Sequence, residues 1–286
     1  MSGLAVAIAR RAVRSAPEPV ARRAIGIVAD ALWLLQPSVR RLVTSNIARA
    51  CSRRDARTVR AIARRSWRAL VANYYELLLA GTWSAADVGE RVQLRGAEDV
   101  DRARSNGRGV IVMFVHAGPF EALSALARLR PEWKLATLVE RMHDPRTHAL
   151  MRDIRERSGL DVIPVDRLRH AIRRVLNGSV LLIGADRDAT HSGISVPLFG
   201  ARARLPDGAV QLALRFDVSL FLAHAVRGPG ARPLYHAVVR PIVLQRTADR
   251  KADALLAVQA TARAIEEIIE AHPDQWVANY DFWTDA

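Results

Sequence analysis

Two observations predict an α/β fold built on a mixed, largely parallel central sheet flanked by helices, with an N-terminal helical extension. From about residue 90 onward, short apolar runs rich in branched and aromatic residues alternate with stretches of three–four apolar spacing. Before that point the spacing is helical throughout, so the helices there precede the alternation. Strands alternating with helices bury both faces of a sheet, as parallel and mixed sheets do.

Residues 1–85 read as an amphipathic, membrane-facing helical segment, and residues 86–286 as an α/β domain forming one integrated globular unit. The longest predicted helix runs from Asp55 to Ala80. Its apolar positions Val59, Ile62, Ala63, Trp67, Leu70, Val71, Tyr74, Leu77 and Leu78 share a face, Asp55 lies near its start and Gly81 closes it. Strands are predicted at 109–115, 134–139, 161–165, 179–184, 219–226 and 235–244. Helices are predicted at 119–130, 145–158, 166–177, 206–216 and 248–271. At 286 residues one substantial core is possible. A single cysteine, Cys51, excludes an internal disulfide and favours a reducing compartment. No secretory signal peptide is expected, because Arg10, Arg11 and Arg14 interrupt the apolar start.

The net charge of +14 is lopsided: residues 1–70 hold fifteen arginines against Glu18, Asp30 and Asp55, and the remainder is nearly balanced. The basic character therefore belongs to the N-terminal segment, which implies an anionic partner there. Leu4, Val6, Ile8 and Val13 alternate with arginines, and Ile25, Ile27, Val28, Leu32, Trp33 and Leu35 form a second apolar set flanked by Arg22, Arg23, Arg40 and Arg41. The run from Ala24 to Leu35 contains Asp30 and is too short for the roughly 20 residues that span a bilayer. A basic amphipathic helix lying on an anionic membrane surface fits better. The alternative is a helix packed on its own domain with its arginines in solvent.

Three predicted strands end in ionisable groups. Gly109 to Val115 runs out at His116, with Glu121 five residues on; this places a potential base at a strand's carboxyl end, where open α/β sheets carry their sites. Pro119 suits the first turn of a helix, in which Glu121 would favour its ionised form and backbone N–H groups would steady an anion. The strand from Ser179 ends at Asp186, Arg187 and Asp188, and that from Lys134 at Glu140 and Arg141. Arg155, on the helix after Pro145, is placed to pair with Glu140 or reach a phosphate; Arg152 and Arg157 are its alternates. Residues 193–208 read as a loop in which Arg202 and Arg204 meet phosphate. Together these strand ends suggest one shared cleft, with Glu140, Arg141, Arg155, Arg187, Arg202 and Arg204 as substrate-binding candidates.

The ordered set resembles the bacterial lipid A biosynthesis acyltransferase family, including the phosphatidylinositol mannoside acyltransferases related to it. The resemblance rests on His116-x4-Glu121, Glu140-Arg-Met-His-Asp-Pro145, Ala185-Asp-Arg-Asp188, Val196-Pro-Leu-Phe-Gly200 and Ala203-Arg-Leu-Pro206. It reaches back to Arg40-Arg-Leu-Val-Thr-Ser-Asn46 and forward to His272-Pro-Asp-Gln-Trp276 and Trp283. The wording at 185–188 and 203–206 is nearer to the mannoside branch. The chain departs from the family in having Pro119-Phe120 before the acid, and in a shorter, more basic N-terminal segment. The resemblance implies transfer of a long acyl chain from acyl-CoA or acyl carrier protein to a hydroxyl of a lipid or glycolipid. No cofactor or metal takes part, and the enzyme sits peripherally on the cytoplasmic face of a bacterial plasma membrane. His116 would be the general base, oriented by Glu121 or Asp186.

The rival readings are a metal-dependent hydrolase, a basic nucleic-acid-binding module and a non-enzymatic membrane binder. The first lacks the His-Glu-x-x-His spacing, even with His143-x4-His148 in the chain. The second has little aromatic interleaving in its basic segment. Nucleic acid is accordingly not an expected partner.

Overall fold

The computed structural model describes residues 17–140, 144–188, 191–229 and 235–284. Among the described residues three helices come first: α1 (Glu18–Leu35), α2 (Pro37–Ala50) and α3 (Ala56–Ala80). Gln36 separates α1 from α2 with φ −116° and ψ 72°, because the residue before a proline is driven out of the helical region. Asp55 caps α3 by accepting from the N–H groups of Arg57 at 2.9 Å and Thr58 at 3.0 Å.

A seven-stranded sheet follows, in the order β1-β9-β8-β2-β5-β3-β4. Its strands are β1 (Val92–Arg95), β2 (Val110–Phe114), β3 (Ala136–Val139), β4 (Asp161–Pro164), β5 (Val180–Gly184), β8 (Leu220–Arg227) and β9 (Tyr235–Ile242). Every neighbouring pair is parallel except β8 and β9, so the expected mixed, largely parallel sheet is present. Helices α4 (Ala85–Arg91), α5 (Ala97–Ala103), α6 (Leu126–Leu129), α7 (Pro145–Arg157), α8 (Leu168–Leu176), α9 (Gly208–Phe216) and α10 (Arg250–Ala271) flank it. The parallel run β2-β5-β3 sends three carboxyl ends to one edge.

Several elements differ from the sequence expectation. The short elements α4, β1 and α5 have too few residues to show a period. The stretch read as a loop is an antiparallel hairpin, β6 (Ile194–Leu198) and β7 (Ala201–Leu205). Val196, Leu198, Ala203 and Leu205 are buried, whereas Pro197, Arg202 and Arg204 face outward. Its turn places Phe199 and Gly200 at φ +49° and +74°, the left-handed pair that a two-residue hairpin turn needs. The N–H of Phe199 donates to Glu266 of α10.

One apolar cluster joins Ala29, Ile47 and Trp67 of the first three helices to Ile111, Met113 and Leu181 of the sheet, and to Ile265, Trp276 and Trp283. The N-terminal helices are thus part of the same core. A second cluster, with Val110, Val112, Val180, Phe221 and Trp133, contains the side chains of alternating sheet positions.

Helix α1 is apolar on two faces. Inward, Ala29 is buried, Trp33 lies 6.3 Å from Trp67, and Trp67 donates its indole N–H to the Ala29 carbonyl at 2.8 Å. Outward, Val20, Ala24, Ile27, Val28, Ala31, Leu34 and Leu35 form a continuous exposed stripe; Ile27 is 71% and Leu35 76% exposed. The second apolar set is therefore split between core and surface. The first set, Leu4 to Val13, lies outside the described residues. Arg22, expected as a solvent flank, instead donates to the fully buried Glu76 at 3.1 Å, which also accepts from Arg227 at 2.6 Å. Asp30 pairs with Arg64 at 2.9 Å and with Arg68, and these two guanidinium groups hold its carboxyl far below the usual range. Among the described residues, no helix is long and apolar enough to cross a membrane.

Candidate active site

The register of β2 and β5 places the first pair of functional side chains. Phe114 is opposite Gly184, and the Ala185 N–H donates to the Phe114 carbonyl at 2.8 Å. Two residues further along each strand, His116 and Asp186 therefore emerge side by side. The His116 N–H donates to the Asp186 carboxylate at 3.1 Å, and Nδ1 lies 2.6 Å from Oδ1. An ionised carboxylate only accepts, so Nδ1 carries the proton and Nε2 is left for proton transfer. The His116 side chain is 14% exposed and that of Asp186 3%.

Close packing keeps the imidazole in place. A Cβ on Gly184 would lie 3.1 Å from His116 Cε1, so the absent side chain leaves the space that the ring occupies. Phe114 and Phe120 stand 5.0 and 4.9 Å from the ring, and Tyr280 6.2 Å. The backbone is clamped by the C-terminal segment: Val277 N–H donates to His116 O, and Gly118 N–H to Gln275 O, both at 2.8 Å. Gly118 has φ +56°, and a Cβ there would sit 2.2 Å from the Ala225 carbonyl oxygen, so this turn requires glycine.

The helix expected from Pro119 does not form. Residues 119–121 make a turn, Ala122–Ala125 a 3₁₀ segment, and α6 only a single helical turn. The Ala122 and Ser124 N–H groups are taken by the Pro119 and Glu121 carbonyls at 2.9 and 3.2 Å. The helix-dipole stabilisation of Glu121 and the anion-binding helix start expected there are thereby withdrawn. The carboxylate of Glu121 instead accepts two bonds from Arg155, 2.6 Å from Nη2 and 3.1 Å from Nε. Burial acts to lower the pKa of Arg155, but the Glu121 carboxylate outweighs it and the guanidinium is held above its ordinary value. Arg155 pairs with Glu121 rather than with Glu140. Its alternates are engaged along their own helix, Arg152 with Glu156 at 2.6 Å and Arg157 with Asp153 at 2.9 Å.

These groups open into a cavity of about 1930 Å³. Its polar wall includes His116, Glu121, Glu140, Arg155, Asp186, Arg187 and Arg204. Its apolar wall includes Val112, Leu126, Trp133, Leu135, Leu182 and Val239. Glu140 lies at the end of β3, and Arg141 is outside the described residues. Arg204 also donates to the His191 carbonyl at 2.8 Å. Arg202 is not part of the cavity wall; it reaches along the hairpin to Ser195 at 3.2 Å. Tyr74 and Tyr280 line the cavity as well. Tyr74 was read as part of an apolar helix face, and Tyr280 follows no periodic pattern. Gly184 reads simply as the end of a strand. Among the described residues, no group of three or more His, Cys, Asp or Glu is gathered as metal ligands.

A family model described as bacterial lipid A biosynthesis acyltransferase matches residues 3–280. A phosphatidylinositol mannoside acyltransferase of Mycobacterium tuberculosis is 27% identical over 189 residues, covering 63% of this chain and 56% of the relative. Another, from Mycolicibacterium smegmatis, is 23% identical over 229 residues, covering 78% of this chain and 74% of the relative. The match thus spans just over half the length of the Mycobacterium tuberculosis protein.

Proposed function

The chain belongs to the bacterial lipid A biosynthesis acyltransferase family, and we propose that it moves a long-chain fatty acyl group from acyl-CoA or acyl carrier protein to a hydroxyl of a membrane glycolipid. The observation that carries this reading is the 2.6 Å contact of His116 Nδ1 with Asp186, both lining a large cavity that also has apolar walls. His116 Nε2 takes the proton of the acceptor hydroxyl as its oxygen attacks the thioester carbonyl. Asp186 steadies the imidazolium that results. A backbone amide or an arginine at the mouth receives the oxyanion, and collapse expels the thiolate, to which the proton returns. The apolar lining, with Val112, Leu126, Trp133, Leu135, Leu182 and Val239, suits the acyl chain, and no cofactor is needed beyond the thioester itself. Because its curated relatives carry that name, a mannosylated phosphatidylinositol is the acceptor class we favour.

The exposed apolar stripe of α1, in the most basic part of the chain, supports peripheral attachment to the cytoplasmic face of an anionic plasma membrane rather than binding to nucleic acid. The test is transfer from palmitoyl-CoA to a mannosylated phosphatidylinositol in anionic vesicles, followed by mass spectrometry. His116→Ala is expected to lower turnover about 10²–10⁴-fold. Unchanged transfer by His116→Ala would remove the general base from this account.

A further inference from the structure

Arg187 is an exposed side chain at the cavity mouth that is nevertheless held in one place. Its guanidinium carbon lies 4.5 Å from the centre of the Tyr280 ring, stacked over the aromatic face. Tyr280 is itself fixed from behind. Its carbonyl accepts from the buried Asn46 side chain at 2.6 Å, and its ring meets Phe282 edge-on at 5.9 Å. On its other side the ring stands 6.2 Å from His116. Among the other described arginines that line the cavity, Arg155 is held by Glu121 in two bonds, Arg204 donates to the His191 carbonyl and Arg215 lies 5.6 Å from the Phe216 ring centre. A long arginine side chain is mobile in water, and stacking on an immobile aromatic face preorganises its planar fork for a phosphate.

We propose that Tyr280 is a positioning residue that holds Arg187 at the cavity mouth as a clamp for a substrate phosphate. The inference rests on the acyl-transfer reading. The phosphate belongs either to the nucleotide end of acyl-CoA or to the phosphodiester of the lipid acceptor, and both are anions that a guanidinium recognises alike.

The experiment measures kcat and KM in anionic vesicles for wild type, Tyr280→Leu, Tyr280→Phe and Arg187→Lys. Donors are palmitoyl-CoA and palmitoyl-pantetheine, which lacks phosphate; the acceptor is a mannosylated phosphatidylinositol. Tyr280→Leu and Arg187→Lys are each expected to raise one KM about three- to tenfold, the loss of a stacked cation. Tyr280→Phe, which keeps the ring, should recover most of it. A rise confined to palmitoyl-CoA and absent with palmitoyl-pantetheine assigns the donor phosphates; a rise confined to the acceptor assigns the lipid. Since Arg187 is exposed, its lysine variant tests the clamp even if Tyr280→Leu folds poorly. Unchanged KM values in Arg187→Lys, or a fall in kcat alone, overturn the clamp. Wild-type turnover throughout, abolished by His116→Ala, leaves the acyl-transfer reading standing when the clamp fails.

Discussion

His116 and its partner Asp186 are seventy residues apart in the chain and 2.6 Å apart in space. Sequence spacing favoured Glu121, and the strand ends already marked Asp186 as its competitor. The two carboxylates now have separable consequences. Asp186→Asn keeps the shape but allows the wrong imidazole tautomer, so kcat should fall about 10²–10⁴-fold with little change in melting temperature. Glu121→Gln breaks a largely buried bidentate pair with Arg155, so its expected signature is a lower melting temperature and a weaker, indirect loss of activity. Equal kinetic losses at both positions would sink this division of roles. His224 adds a pH dependence. Burial, with Arg240 and His272 nearby, pushes its pKa from 6.5 down to about 4. The unfolded chain therefore binds more protons between those values. The stability His224 contributes above pH 6.5 is lost as pH falls towards 4. Urea midpoints across that range should fall less steeply for His224→Leu than for wild type.

Among the elements, α1 carries the clearest division of labour. Its inward face is fastened by Trp67, Asp30 and the Arg22–Glu76–Arg227 network. Its outward stripe has no described element packed over it. Ile27→Glu combined with Leu34→Glu should therefore weaken flotation with anionic vesicles strongly and leave folding unchanged, since both side chains are more than two thirds exposed. Vesicle binding equal to wild type would exclude this face. The periodicity of α3 was legible because its apolar residues repeat over 25 positions. Glu76 was not, because a carboxylate within that run becomes tolerable only through arginines from α1 and β8. The hairpin of β6 and β7 was missed for a related reason. Its alternation is short and interrupted by Pro197, and only packing against α10 and Trp283 makes it a sheet.

For the whole molecule, Asn46 of α2 ties the N-terminal helices to the C-terminal segment. Its amide donates to Ala278 O at 2.9 Å and Tyr280 O, and it accepts the Trp283 indole N–H at 2.6 Å. Asn46→Ala would strand three polar groups, two of them in fully buried bonds, and should cost about 2–4 kcal/mol in urea unfolding. Hydrogen exchange at residues 276–283 should rise with it, loosening the strap that grips His116 and Tyr280. Local patterns by themselves determined the alternating fold, the basic apolar N-terminus and the ionisable residues at three strand ends, because apolar period and charge are written residue by residue. The tertiary structure decided which of those ionisable groups meet. Strand register brings Asp186 to His116, Arg155 draws Glu121 away, and a strap more than two hundred residues from α2 closes the site. Such choices depend on distances between segments, which a linear spacing does not contain.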